Sequence, residues 1–553
     1  MILHISKTLS EMKKKKALAF FGGLCVGAII FILLYGFSII NPMNEGWIYT
    51  IGADNMQHQL GWVSYRKSPW TFPIGLNVSL TINPVSVIYT DSIPIVAIIF
   101  KILSPLLPST FQYLGLCSLL SYMLMGGFAA LLLRYVIEND FLCAVLSSLF
   151  VLSPYMLHTL FAATSLLGQW TIIAAFCLWL YNPYRGQWKH IFLWAILCVV
   201  ACGLHLYIGV MVMGIMFFAA VTNMIETKRI VYGIGIIGIS VAFVLAYLFL
   251  FGMFHGTYGA ATTGTEAWFS ANLNGFINPL YQEKLLEPRG STDKNMDIYM
   301  GAGMLICCII LLYRVLIEKI SICEYLKLSK LQFIMMILCV TVFFVFALSP
   351  VISVGSRELF HIPYPKVVLS LFCMLRAKGR FAMVMAYFLY YVALSIVFYD
   401  IKDRMQLRCI IMCLLVFCVQ YDDLSYSIKE QHNKAYNTDS YESSLSKEVE
   451  TLLEGKEIVY LPYNYTYWGE TMVQYYDIAS YAVNHDMKLA NFYLAREDLQ
   501  AEHLTKKYEQ ALKDGEVDEK VVYVFPEENL VPQNCDMTIV ENQKFYYGVK
   551  NEK

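Results

Sequence analysis

The sequence predicts a polytopic α-helical membrane protein of about eleven transmembrane helices followed by a small α/β domain. Three observations predict it. Hydrophobic residues make up 58% of the 553 residues and charged residues 15%, with a mean hydropathy of +0.53, well outside the soluble norm. Apolar runs near the roughly 20 residues that cross a hydrocarbon core recur at 17–40, 111–133, 230–251 and 331–348. The turns on one side of these runs are consistently basic, as cytoplasmic turns are. Helix is the expected spanning form, because it satisfies every backbone donor and acceptor within one segment.

The first element opens with four lysines, Lys13 to Lys16, and then an apolar run. That run lacks a small-residue cleavage site before Asn41, which favours a retained anchor over a cleaved signal peptide. Gly23 and Gly27 form a small-xxx-small pair that admits a close helix neighbour. With the lysines held in the cytoplasm, residue 41 onward lies outside. Further spans are expected near 111–133, 141–158, 163–181, 191–206, 208–225, 230–252, 298–317, 331–349, 383–399 and 408–421. The inner turns then hold Arg134; Arg185 and Lys189; Lys228 and Arg229; Arg314, Lys319, Lys327 and Lys330; and Lys402, Arg404 and Arg408. The stretch 92–108 is apolar but short, and it carries Lys101, Pro94, Pro105 and Pro108. It reads as an interfacial or re-entrant segment.

This topology makes 1–421 a membrane domain with outer loops 41–110, 253–297 and 350–382. Residues 422–553 form an extracytoplasmic α/β domain, with strands expected at 457–462, 488–494, 520–525 and 544–549 and helices at 443–453 and 499–513. Of the 15 cysteines most fall inside apolar runs and read as small packing residues. No Cys/His cluster has zinc-ligand spacing in a polar setting, so no metal site is assigned. The net charge of −1 is parcelled among loops on opposite faces. It says nothing about nucleic acid; the expected surroundings are membrane lipids, and no nucleic-acid partner is assigned.

Several motifs carry chemistry. The first outer loop holds Asp54, Asn55, Met56, Gln57 and His58, then Thr90, Asp91 and Ser92. Asp54, Gln57 and His58 share one face if the segment is helical, and a carboxylate beside an imidazole can act as general base toward a hydroxyl. The same pattern fits a hydrated amphipathic helix at the interface. Arg376, Lys378 and Arg380 precede a helix on the outer side, where cations are disfavoured. A lipid phosphate would offset that placement through bidentate guanidinium contacts; snorkelling to lipid headgroups would too. Gly233, Gly235 and Gly238 spell a dinucleotide fingerprint inside an unbroken apolar span, and there they read as helix packing. His205 is polar enough to line a cavity or to fill a helix interface. Tyr463, Tyr465, Tyr467 and Trp468 could stack on sugars or fill a small core. Asn77 and Asn464 head sequons on the expected outer side.

The retained first helix, the loop carrying Asp54 to His58, the many spans, the stretch Leu375 to Phe381 and the soluble tail together resemble bacterial GT-C-type membrane glycosyltransferases, in a poorly characterised branch. The layout likeness covers most of 17–421, and the specific matches lie in roughly 52–101 and 375–381. The resemblance implies a polyprenyl-phosphate sugar donor, an envelope glycan or lipid acceptor and an active site on the outer face. It makes Asp54 the catalytic candidate with Asp91 as second carboxylate and His58 beside them. By that analogy Arg376 and Arg380 would hold the donor phosphate; the local pattern adds Lys378, Gln57 and His205 as candidate binding residues. Some members of the superfamily need a divalent cation and others do not. A transporter or flippase, or a non-catalytic envelope-assembly protein, also fits many spans with outer cations.

Overall fold

In a computed structural model the described residues are 2–49, 54–180, 186–259, 268–292, 295–375, 377–399, 406–436, 443–463, 465, 467 and 469–551. Six helices among them are long and apolar enough to cross a membrane: Ala17–Tyr35, Leu114–Leu133, Leu206–Thr227, Ile230–Leu250, Lys330–Leu348 and Lys378–Val397. Ile411–Asp423 and Ser425–Tyr436 pass the same test together but meet at 64°. The chain is a multi-pass membrane protein. Four of the other expected spans are shorter apolar helices, at Asp140–Val151, Thr164–Leu180, Trp188–Leu204 and Ala302–Leu316.

Local sequence sets these boundaries. The side chain of Asn139 accepts from the Leu142 amide at 3.0 Å and starts the Asp140–Val151 helix. The expected span 141–158 breaks because Pro154 has no N–H to continue it, and Ser153 caps a new short helix, Pro154–Leu157. Ser329 and Gln332 form a capping box ahead of Lys330–Leu348. The glycine pair of the first helix serves close approach: a Cβ on Gly23 would overlap the Gly126 carbonyl, and one on Gly27 the Tyr122 carbonyl. Gly233, Gly235 and Gly238 lie within the continuous helix Ile230–Leu250. No disulfide forms among the described residues.

The long connections gather on one face. Ser86 Oγ donates to the Phe251 carbonyl at 2.7 Å, the Tyr89 hydroxyl to the Met253 carbonyl at 2.8 Å, and Asn272 Nδ2 to the Gly355 carbonyl at 2.9 Å. Pro94–Leu103 has 10 residues, about 15 Å of helix and half a hydrocarbon core. It leaves Ile99 and Ile102 exposed.

The polar tail begins later than residue 422. Leu424, Ile428, Gln431 and Ala435 recur at helical spacing and are buried. This keeps Ser425–Tyr436 folded against the first helix, where His432 Nδ1 meets the Leu34 carbonyl at 3.0 Å.

The C-terminal domain holds a four-stranded sheet in the order Glu457–Tyr460, Val521–Phe525, Phe545–Lys550, Met537–Asn542. The first pair is parallel and the others antiparallel. Three expected strands and both expected helical patterns have counterparts, with Ser443–Ser446 preceding the shorter helix Lys447–Leu453. The strand Met537–Asn542 and the helix Glu470–Asn484 are additions. Residues 488–494 form no strand; Leu489 instead bridges Thr81 on one side and Ile458 on the other. Through Leu489 the first long loop joins the edge of the C-terminal sheet. Lys67 adds to this seam, donating to the Val483 carbonyl at 2.8 Å, the Asn484 carbonyl at 3.1 Å and Asp486 at 3.1 Å. A cation at the end of a helix also complements its dipole.

Candidate functional site

The site grows from the helix Asp54–Lys67, in which Asn55, Gln57, His58, Gln59, Ser64 and Tyr65 are buried. Burial requires partners, and most of them have one. Asn55 bridges the Leu160 carbonyl at 2.8 Å and the Thr164 amide at 2.7 Å, Gln59 reaches Glu45 at 2.7 Å, and Trp62 donates to the Phe111 carbonyl at 2.9 Å. Gln57 donates to the Tyr89 carbonyl at 3.2 Å and so holds the strip that leads to Asp91. His58 differs. Its Nδ1 has no hydrogen-bond partner, and burial pushes its pKa down to about 3. Such an imidazole stays neutral near pH 7, so it can hydrogen-bond but takes up a proton poorly.

Asp91 sits in a strained turn. Its φ is 51° and that of Ile93 is 49°, the left-handed region that β-branched residues avoid. Between them Ser92 is fully buried, its Oγ donating to the His58 carbonyl at 2.7 Å and meeting Thr90 Oγ1 at 2.9 Å, while its carbonyl accepts from the Tyr113 hydroxyl. The turn is thereby locked onto the Asp54–Lys67 helix. The Asp91 carboxylate lies 3.9 Å from His205 Nε2.

His205 joins the helices Trp188–Leu204 and Leu206–Thr227. Its Nδ1 accepts from the Tyr207 amide at 3.1 Å, so the neutral ring carries its proton on Nε2, toward Asp91. Burial, then the Arg380 charge, then His58 hold its pKa well below the ordinary value. Tyr207 stacks on His205 with ring centroids 5.1 Å apart, and the Arg380 guanidinium lies 5.8 Å from the Tyr207 ring centroid. Asp91, His205, Tyr207 and Arg380 thus form a ladder of neighbouring groups, with His58 within electrostatic reach of His205.

The cation cluster divides. Arg380 joins the ladder, whereas Lys378 is fully buried and donates to the Trp268 carbonyl at 3.1 Å. Arg376 lies outside the described residues, as do Asn464, Thr466 and Trp468. Tyr467 packs on Tyr475 and Phe545, and Tyr463 donates to the Asp498 carbonyl at 2.9 Å. Both are used in building the C-terminal domain.

Three residues near the site were not singled out from sequence. Tyr207 was visible only as the neighbour of His205. Tyr476 and Arg496 come from the C-terminal domain, where no local pattern marks them. Burial, and after it the Asp54 charge, raise the Tyr476 hydroxyl well above its ordinary range, and the Arg496 charge partly offsets the rise that burial causes at Tyr89. The Ala495 amide donates to the Tyr89 carbonyl at 2.8 Å, and the Gly259 amide to the Glu497 carbonyl at 2.9 Å. Segment 495–499 therefore ties two long loops together beside Asp91.

Asp91 and His205 are the nearest approach to a metal-ligand set here, and among the described residues no three His, Cys, Asp or Glu side chains converge to hold an ion. This donor set does not fit a divalent cation.

Fold and hydropathy define a multi-pass helical membrane protein whose long loops and C-terminal domain enclose a carboxylate–histidine–arginine site. The chain belongs to the family described as "Domain of unknown function (DUF6311)", matched over residues 24–425, and its "DUF6311 C-terminal domain" is matched over residues 451–548. Among solved structures the chain is similar to the Archaeoglobus fulgidus oligosaccharyltransferase in the apo form. That likeness has 11% identity and a TM-score of 0.44, and it covers 91% of this chain and 69% of the other. It is also similar to the archaeal oligosaccharyltransferase AglB from Archaeoglobus fulgidus in complex with an inhibitory peptide and a dolichol-phosphate. There the identity is 11%, the TM-score 0.40 and the coverage 92% of this chain and 69% of the other. No curated protein gives a significant match.

Proposed function

We propose that this protein transfers a sugar from a polyprenyl-phosphate donor to a cell-envelope glycan or lipid on the outer membrane face. The observation that carries the reading is the ladder Asp91, His205, Tyr207, Arg380 beside the buried His58. It sets a carboxylate and a guanidinium at the end of apolar spans, where a lipid-linked phosphate would enter from the bilayer. In this scheme the acceptor hydroxyl oxygen bonds to the sugar's anomeric carbon as the bond from that carbon to the phosphate oxygen breaks. The phosphate leaves with the electron pair and is held by Arg380. The hydroxyl proton passes to a carboxylate, for which Asp54 is the candidate, with Asp91 as second carboxylate oriented by His205. His58, neutral, serves as a hydrogen-bonding group.

The test is binding of polyprenyl monophosphate to the purified full-length protein, with mass spectrometry of co-purified lipid to identify carrier and sugar. Arg380→Lys keeps the charge but loses the planar fork. Loss of a charge-assisted pair is worth about 1.5–3 kcal/mol, so both Arg380→Lys and Arg380→Ala are expected to bind the lipid roughly 10–150-fold more weakly. Membrane insertion is expected to be unchanged. Equal binding by both variants would refute a phosphate role for this cluster.

A further inference from the structure

A cavity of about 380 Å³ opens where the first long loop meets the C-terminal domain. Ser64, Lys67 and Ser79 line it from the loop, and Val483, Asp486 and Lys488 line it from the domain. Its volume falls in the range of sites that hold small molecules. It is separate from the Asp91–His205 ladder. Ser64 follows Asp54 by ten residues on one helix, which is about 15 Å along the axis.

Hydrogen bonds fix both walls. Ser64 Oγ and Ser68 Oγ donate to Asn77 Oδ1 at 3.1 and 2.8 Å, and the Ser79 amide donates to the same oxygen at 3.2 Å. Asn77 is fully buried, so this sequon residue braces the loop. Across the seam the Leu489 amide donates to the Leu80 carbonyl at 3.1 Å, which sets the backbones of Ser79 and Lys488 one residue from a shared contact. Lys67 is fully engaged, its three donors directed to the Val483 and Asn484 carbonyls and to Asp486. That pair leaves Asp486 neutralised with one carboxylate oxygen to spare. Lys488 is exposed, and its ammonium has no hydrogen bond or ion pair among the described residues; the Ser79 hydroxyl is likewise unengaged. Of the six lining residues, Lys488 therefore carries the one uncompensated charge.

We propose that this cavity binds a monosaccharide that carries a carboxylate, a hexuronate. The uncompensated ammonium of Lys488 selects an anion and pairs with the ligand carboxylate. The spare Asp486 oxygen accepts from a ring hydroxyl, the Ser79 hydroxyl donates to another, and Val483 meets the C–H face. A bare anion leaves most of the 380 Å³ and both hydroxyl-reading groups unused. A zwitterion needs Asp486 as its counter-charge, and Lys67 already holds that role. Because the binding groups come from both sides of the seam, the occupied cavity ties the loop that carries Asp54 to the C-terminal domain and stabilises the docked arrangement. The site requires neither the lipid donor nor the transfer reaction.

The experiment is a thermal-shift titration of the full-length protein in detergent at constant ionic strength, with D-glucuronate and D-galacturonate at millimolar concentration beside D-glucose, acetate and glycine. At least one uronate is expected to raise the wild-type melting temperature, and the other three compounds are expected to leave it unmoved. Lys488→Gln changes an exposed side chain without a partner, so its melting temperature without ligand matches wild type. Its affinity for the uronate falls roughly 10–150-fold, the worth of one charge-assisted hydrogen bond, and that of Ser79→Ala falls about 2–10-fold. Arg380→Ala retains the uronate, and Lys488→Gln retains polyprenyl monophosphate, so loss of either reading leaves the other standing. The proposal is overturned by a wild-type protein that neither uronate shifts, by unchanged affinity in Lys488→Gln, or by an equal shift with acetate or glycine.

Discussion

Glu283 offers a quantitative test of the packing on the loop-bearing face. Its side chain is buried, with one oxygen accepting from Ser427 at 2.7 Å and the other having no partner. His158 Nε2 is 3.8 Å away and also contacts Ser427 at 3.0 Å, while Asp297 holds the other ring nitrogen at 3.2 Å. Burial first, and then the negative charges of Asp423, Asp297 and Glu430, push the Glu283 pKa up to about 8. The folded protein thus keeps a proton that the unfolded chain releases near pH 4.5. Between these values folding takes up a proton, so this group's contribution declines as pH rises from about 4.5 to 8 and then levels off. A shift of that size corresponds to at most about 5 kcal/mol at 1.36 kcal/mol per pH unit.

Glu283→Gln imitates the protonated form at every pH and still accepts from Ser427. Melting of the two proteins is expected to coincide near pH 5 and to diverge progressively toward pH 9, with the variant the more stable by about 2–4 kcal/mol. The measurement is thermal or denaturant unfolding in detergent at a series of pH values. Parallel profiles, or a variant less stable at pH 9, would refute the assignment of a buried, protonated Glu283.

Asp54→Asn keeps size and removes most basicity, and transfer is expected to fall roughly 10²–10⁴-fold in kcat with donor binding intact; a comparable rate in the variant excludes Asp54 as the base. Gly23→Val forces a branched side chain against the Gly126 carbonyl, and a loss of about 1–3 kcal/mol is expected in detergent unfolding. Gly238→Ala, where an added Cβ meets nothing within 4 Å, provides the neutral comparison.

The helical scaffold was legible because lipid imposes one requirement on a spanning segment, and apolar length records it. Breaks were less so: the sequence shows Pro154, yet the apolar run continues through Tyr155 to Leu157 and hides it. The Glu470–Asn484 helix escaped because Tyr475, Tyr476 and Tyr481 favour strands locally, while the buried set Tyr475, Ala479, Ala482 and Val483 acquires meaning only against the rest of the domain. In the site, the order of residues placed Asp54 and His58 on one face but said nothing of Tyr476, which is distant in sequence. Lys378 and Arg380 looked equivalent in the sequence. They lie two apart on a 3₁₀ turn, Lys378–Phe381, where three residues complete a circle, so their side chains diverge. One enters the ladder and the other fills the interior.

The seam between the first loop and the C-terminal domain joins residues separated by as many as 419 positions. At synthesis rates of about 5–20 residues per second, the loop waits roughly 20–80 s between its own emergence and that of its partner. During that interval the edge at Leu80 and Ile82 has no strand beside it, and the carbonyl of Tyr89 lacks the Ala495 amide. The loop-bearing face is therefore completed last, after every apolar helix has left the ribosome. A chain that stops short of residue 489 would insert its helices and still lack the finished seam, so completion of this face reports on full-length synthesis as well as on folding.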